Sequence, residues 1–163
     1  MNNALIMEMA KYYEGQAERI QHYIKVFTYA KMLGEREGLT KEKQHILETA
    51  AIVHDIGIKA SEIKYGDLIG KHQEELGPDI AREMLTRLGY DEKVTDRVCF
   101  LVAHHHTYDG IDDLDYQILV EADFLVNIHE NYNPYSSALE AYRRVFKTAS
   151  GKALYKLMYG IRE

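Results

Sequence analysis

The stretch from Ile52 to Gly57 constrains the fold most, because it sets a histidine beside an aspartate at the end of an apolar helical pattern. Neighbouring side chains in a helix diverge by about 100°, so His54 and Asp55 can act together only where the helix ends. Gly57 is predicted to supply that end as a C-terminal cap. Imidazole nitrogen and carboxylate oxygen are ligands of divalent transition metals. For an isolated pair, a buried histidine with an aspartate partner would be the simpler interpretation.

The rest of the chain favours an all-α fold, since it has only two prolines and no strand-like alternation of useful length. A chain of 163 residues is expected to form one domain, with a metal-site core at about 16–130 and C-terminal helices packing on it. A polar connection is predicted for residues 58–71. The predicted helices cover 3–14, 16–37, 41–55, a segment opened by Gly77-Pro78, 91–105, a segment from about 113, and a stretch over 134–160 that begins at Asn133-Pro134 and is interrupted at Ser150-Gly151.

Charge, cysteine content and hydropathy narrow the possible partners, the covalent cross-links and the compartment. The net charge is −6, so a general affinity for nucleic acid or an anionic membrane is not expected. The single cysteine, Cys99, excludes an intramolecular disulfide. No apolar run approaches ~20 residues and the chain lacks a positively charged signal-peptide start, so the cytoplasm is the expected compartment. A homodimer is left open.

A helical hairpin is predicted to bring two histidines together. His22 shares an inward stripe with Val26 and Leu33. It lies 16 residues before Gly38, and His54 lies 14 residues after Thr40. At ~1.5 Å per residue the two arms are roughly 24 and 21 Å long, so His54 should return to the level of His22.

Four polar residues thus fall on faces that otherwise belong to the core: His22, His54, Asp55 and Asp123. An unpaired buried carboxylate is costly, and one metal ion would satisfy all four groups. A metal-free network of histidine–aspartate hydrogen bonds is the alternative. The metal-free network is the better interpretation for any one of these residues alone. Four such residues at the same level of the helices favour a bound metal ion.

This pattern resembles the HD-domain superfamily of metal-dependent phosphohydrolases, whose signature is a histidine, a His-Asp doublet and a distant aspartate. The matching positions are His22, His54, Asp55 and Asp123. Arg19, three residues before His22, fits a basic residue often found there. The resemblance implies a single-domain helical bundle of the HD type, with about six to eight helices, and a first ion held by these four side chains.

Further histidines are similar to those of the branches that hold two or more metals. These are His72 and the run His104-His105-His106, which precedes Asp109-Gly110. The run is similar to the His-His and Asp-Gly segment of the HD-GYP cyclic-dinucleotide phosphodiesterases, where alignment matches His104 and His105. Because the Gly-Tyr-Pro tripeptide is absent, the small stand-alone branch with bacterial diadenosine-tetraphosphate hydrolases is the closer likeness. Which histidines of the run bind metal is left open.

The resemblance implies hydrolysis of a small phosphorylated molecule, expected to be a nucleotide, by metal-activated water. Asp55 would bridge to a second ion held by His72 and His104 or His105. Imidazole-rich ligation favours one or two ions of Mn²⁺, Fe²⁺, Co²⁺, Ni²⁺ or Zn²⁺. Asp55, His72 and Lys59 are the expected catalytic residues, and Arg19, Lys59 and Lys64 are expected at the substrate, although loop lysines are often merely solvated.

Two other functions stay open at this point. Some HD-like proteins are di-iron oxygenases, and the same residues could serve that chemistry. A regulatory domain that binds metal and nucleotide without turnover is the third possibility.

Overall fold

The computed structural model of the protein describes residues 1–130 and 135–162. All regular secondary structure in these residues is helical, which confirms the all-α prediction. Nine helices are present within the described ranges, two of them only eight residues long, against the six to eight expected. They are α1 (Asn2–Tyr12), α2 (Ala17–Arg36), α3 (Lys41–Val53), α4 (Ile58–Tyr65), α5 (Gly70–Arg87), α6 (Glu92–Val102), α7 (Leu114–His129), α8 (Ala138–Val145) and α9 (Ala149–Tyr159).

The core is built around the hairpin of α2 and α3, with α7 packed against both helices. Helix α7 is buried on nearly every side from Asp115 to Val126, as a central helix must be. The pair of α5 and α6 reaches this core through α3, which packs against α6. Helices α2, α6 and α7 therefore all contact α3. No helix in the described ranges is long and apolar enough to cross a membrane.

The predicted polar connection over residues 58–71 is wrong, because Ile58–Tyr65 forms α4 and α5 already begins at Gly70. Pro78 therefore lies inside α5 instead of opening it. Proline removes one intrahelical hydrogen bond, but tertiary packing compensates in this helix. The backbone from Gln73 to Gly77 packs so closely on Gly57 that a Cβ atom at Gly57 would lie 2.4 Å from the Gln73 carbonyl oxygen.

Gly57 has a different role from the predicted helix cap. Helix α3 ends at Val53, with His54 as its C-cap residue, and Gly57 has ordinary helical angles of φ −74° and ψ −15° at the start of α4. It is a glycine because the backbone of α5 leaves no room for a side chain. This contact presses the turn that carries His54 and Asp55 against the first turns of α5.

The C-terminal helices are divided earlier than predicted. Asn133-Pro134, the expected start of this stretch, lies outside the described residues, and the helix described there begins after the N-cap Ser137. Ser150-Gly151 lies within α9, and the break falls at 146–148. Glu121 causes this break, since its carboxylate accepts hydrogen bonds from the backbone N–H groups of Lys147 and Thr148.

Candidate metal centre

Four ligand atoms from three separate elements converge at the centre of the bundle. His22 comes from α2, His54 and Asp55 from the turn after α3, and Asp123 from α7. His22 Nε2 lies 3.3 Å from His54 Nε2, 3.2 Å from Asp55 Oδ2 and 3.2 Å from Asp123 Oδ1. His54 Nε2 lies 3.4 Å from each of the same two oxygens. The prediction that the hairpin returns His54 to His22 is confirmed.

These separations suit a shared ion. Four ligands at ~2.0–2.2 Å from a tetrahedral ion stand roughly 3.3–3.6 Å from one another. Asp123 Oδ1 is buried and has no hydrogen-bond partner among the described residues, although two imidazoles are close. A buried acceptor without a partner is costly, and a cation would satisfy it. The residues present therefore fit the metal that the sequence implies.

The histidines present the correct nitrogen for metal binding. His22 donates from Nδ1 to Glu130 Oε2 at 2.8 Å, and His54 donates from Nδ1 to the Ala51 carbonyl at 2.8 Å. His105 donates in the same way to the Val102 carbonyl at 2.8 Å. Because each acceptor can only accept, each Nδ1 carries a proton, and each Nε2 faces the centre, where a metal would displace any proton that it holds.

The histidines and aspartates of the first cluster shift one another's pKa values. Burial by itself would lower the pKa of His22, but the adjacent Asp123 and Asp55 carboxylates outweigh it and raise that pKa to about 11. The pKa of His54 is raised to about 10 against the same effect of burial, chiefly by the charge of Asp55. The pKa of Asp123 is lowered, since its histidine neighbours outweigh its burial. The charge of His54 likewise outweighs burial and lowers the pKa of Asp55. Both carboxylates therefore stay ionised and attract positive charge.

A second cluster shares Asp55 with the first. Asp55 Oδ1 lies 3.3 Å from His105 Nε2, and ligand atoms of Asp55, His105 and His106 lie within 4.8 Å of one another. Burial, together with the charge of His105, lowers the pKa of His106 to about 4. His106 is therefore neutral at physiological pH, which is the form that binds metal. Occupation of this cluster by a second ion stays a prediction.

His72 and His104 lie outside both clusters found in the described part of the chain. His72 stands in the first turn of α5, where it stacks on Tyr65 and its Nδ1 lies 2.9 Å from Asp67 Oδ1. His104 donates to the Phe100 carbonyl and its ring packs on the Phe100 side chain. The roles expected for these two histidines stay predictions that their positions do not support.

Of the three residues expected to contact the substrate, one lines the cavity and two do not. Arg19 lines a cavity of about 400 Å³ beside the first cluster, together with His22 and Asp55. Lys59 instead donates to the Tyr12 carbonyl and lies over the Tyr12 ring. Lys64 pairs with Glu75 at 3.2 Å. Neither lysine lines the cavity, so only Arg19 is positioned for substrate.

Several supporting residues were missed by the sequence analysis. Tyr13 donates to the Asp55 carbonyl at 2.7 Å and steadies the His-Asp turn. Gln73 donates to the Leu68 carbonyl, so its Oε1, at 3.1 Å, must accept from His106 Nε2. Glu130 was detectable, because it falls seven residues after Asp123 and so lies on the same helix face. The contacts of Tyr13 and Gln73 join distant segments and have no local sequence signal.

Comparison with known proteins agrees with this geometry. The family model described as HD domain matches residues 19–141. Among solved structures, the chain is similar to a predicted HD superfamily hydrolase from an uncultured Thermotogales bacterium, with a TM-score of 0.68 and 22% sequence identity. That similarity covers 96% of this chain and 82% of the other. No curated protein matches the sequence.

The family match spans more than half of the chain and includes all four residues of the first cluster. Together with the two groups of histidine and aspartate ligands, it supports a metal-dependent hydrolase. The chain belongs to the HD domain family.

Proposed function

We propose that the protein is a metal-dependent phosphohydrolase that cleaves a phosphoester or phosphoanhydride of a small molecule, with a nucleotide as the expected class. One observation carries the proposal. Asp55 directs Oδ2 to His22 and His54 and Oδ1 to His105, at a cavity that also contains Arg19. A carboxylate between two ligand clusters suits two neighbouring ions, and an adjacent guanidinium suits a phosphoryl group.

Divalent ions at such a site lower the pKa of a water molecule and neutralise charge on the phosphoryl oxygens. The protein positions the substrate. Arg19 Nη1 is buried without a hydrogen-bond partner among the described residues, while Nη2 is held by Glu62 at 2.6 Å. The free N–H groups of Nη1 can donate to a phosphoryl oxygen, and the Glu62 pair keeps the guanidinium in place.

The experiment is a hydrolysis panel with nucleotides, dinucleoside polyphosphates and sugar phosphates, run anaerobically with Mn²⁺, Co²⁺ or Ni²⁺. We expect phosphate release that EDTA abolishes. An Asp123→Ala variant should lose turnover, because the first cluster then lacks a carboxylate that no other residue replaces. Absence of turnover with every substrate and metal would refute the hydrolase.

The same panel separates the other two functions. Hydrolysis under anaerobic conditions would show that the reaction does not consume O₂, as an oxygenase reaction must. Tight nucleotide binding without product under any metal would instead support a regulatory domain.

A further inference from the structure

We infer that the substrate is a phosphomonoester with one terminal phosphate and a compact leaving group, and not a polyphosphate chain or a dinucleotide. The inference rests on the proposed function and narrows it. Size, charge and the chemistry of the cavity wall each support it independently.

The cavity beside the metal centre is small. Its volume of about 400 Å³ is near the lower end of the ~300–1,000 Å³ typical of ligand pockets. Four aromatic residues line it, Tyr13, Tyr23, Tyr108 and Phe124, together with Asn127. Such walls suit one stacked ring with a few hydrogen bonds. This volume suits a leaving group the size of one nucleoside better than two nucleosides joined by phosphates.

Positive charge is limited to a single side chain. Arg19 is the one lysine or arginine among the described residues that line the cavity. Residues 131–134, which follow the lining residue Glu130, include no lysine or arginine. Lys25, which does not line the cavity, is paired with the lining residue Glu130 at 2.6 Å. One guanidinium beside a metal centre matches the charge of one phosphate, but a polyphosphate tail would lack cationic partners.

Negative charge also lines the cavity. Glu18 and Glu130 both line the cavity. Glu130 is neutralised by its contacts with Lys25 and His22. Glu18 is exposed and makes no hydrogen bond or ion pair with the described residues, so its charge faces the cavity unbalanced. Each additional phosphate would therefore meet repulsion from Glu18.

The test compares metal-loaded protein acting on a nucleoside 5′-monophosphate, the matching triphosphate, a dinucleoside tetraphosphate and cyclic di-GMP. We expect kcat/KM for the monophosphate to exceed the values for the other three compounds by at least about tenfold, the low end of what one steric mismatch in a pocket costs. Binding is measured separately by calorimetry with non-hydrolysable phosphonate analogues of the mono- and diphosphate. The monophosphate analogue should bind more tightly.

A matched pair of variants tests the cause of this selectivity. Glu18→Gln should improve the triphosphate relative to the monophosphate by about twofold to fivefold, as removal of one exposed charge allows. Glu14→Gln makes the same charge change at an exposed residue that does not line the cavity, and it should leave the ratio unchanged.

The outcomes separate the inference from the function on which it rests. Faster turnover of the triphosphate or a dinucleotide, or tighter binding of the diphosphate analogue, overturns the inference while the phosphohydrolase stands. Absence of turnover with all four compounds and with the wider panel overturns both.

Discussion

At the scale of single residues, the metal centre depends on groups that do not touch the metal. Glu130 accepts from His22 Nδ1 at 2.8 Å and from Lys25 Nζ at 2.6 Å. This carboxylate fixes the imidazole orientation and leaves Nε2 without a proton once the metal binds. Lys25 in turn holds Glu130, so the orientation of one ligand is set by a chain of three side chains.

We expect Glu130→Gln to weaken metal binding about 10–100-fold, the usual cost of losing a carboxylate behind a ligating histidine. Competition against a chelator of known affinity measures the effect. Glu35→Gln removes a carboxylate from an exposed position on α2 and is the control. Equal affinity of Glu130→Gln and wild type would show that Glu130 does not orient His22.

Metal binding should release protons. Asp123 and Asp55 raise the pKa of His22 to about 11, and Asp55 raises that of His54 to about 10, in each case against the lowering effect of burial. Both are therefore protonated at pH 7 in the metal-free protein, whereas metal ligands must be neutral. Calorimetry in buffers of different ionisation enthalpy should show about two protons released, with affinity rising as the pH rises.

The same pKa values fix the sign of the pH dependence of stability. Because both are raised above their ordinary value of about 6.5, protonation of these histidines stabilises the metal-free fold fully below that pH. This contribution is lost as the pH rises through the folded pKa values near 10 and 11. The free energy of unfolding of the metal-free protein, measured at pH 7 and at pH 10, tests this and should be lower at pH 10. Equal values at the two pH values would contradict it.

At the scale of elements, the ends of helices are fixed by contacts from other helices. The turn after α6 is held by Glu74 of α5, which accepts from the His106 backbone N–H at 2.9 Å and from the Thr107 hydroxyl. Tyr116 of α7 donates to the carbonyl oxygens of His104 and Thr107. These contacts turn His105 and His106 toward Asp55 and leave His104 outside.

Gly57→Ala should displace the turn that carries His54 and Asp55 from its contact with α5. The new Cβ atom would lie 2.4 Å from the Gln73 carbonyl oxygen, which is backbone and cannot rotate away. We expect a loss of about 1–3 kcal/mol in the free energy of unfolding, as for other overpacked sites. Metal affinity should fall as well, since the His-Asp turn must move away from α5. Denaturant unfolding and chelator competition measure the two effects.

Gly151→Ala is the matched control. Its Cβ atom would meet the buried Glu121 carboxylate, which accepts from the backbone N–H of Thr148, the N-cap residue of α9, and lies on a different face of α7 from Asp123. This variant should also be less stable but should bind metal normally. Equal loss of affinity in both variants would mean that overpacking anywhere disrupts the centre.

At the scale of the whole molecule, the metal should act as a clamp between α2, the turn after α3, and α7. A ligand that binds only the folded state at 100 times its Kd adds about 2.7 kcal/mol of stability. For a domain of this size that corresponds to roughly 5–10 °C in Tm. We therefore expect EDTA to lower the Tm and added Mn²⁺, Co²⁺ or Ni²⁺ to restore it.

Two aspartate variants test whether the metal-dependent rise in Tm comes from an ion bound at the two clusters. Asp55→Ala should abolish the metal-dependent rise in Tm, because Asp55 belongs to both clusters. Asp109→Ala should keep it, since Asp109 is exposed in the turn after the histidine run. A similar loss in both would place the metal elsewhere.

The all-α fold and the meeting of His22 with His54 could be predicted from the sequence. Helical periodicity and the N-cap residues Thr40, Asp91 and Asp113 act between near neighbours, so they can be read locally. Thr40 and Asp91 accept from the backbone N–H groups of the helices that follow them, and Asp113 accepts from Leu114 N. The hairpin prediction needed only helix rise and loop length.

Only the tertiary structure decided where α5 begins, why Gly57 must be glycine, and which histidines of the run face Asp55. Sequence alignment favoured His104 and His105, whereas the fold directs His105 and His106 to the centre. The physical reason is that a side chain at a helix end can point in several directions at similar local cost. Contacts from other helices select one direction, and residues far apart in sequence supply those contacts.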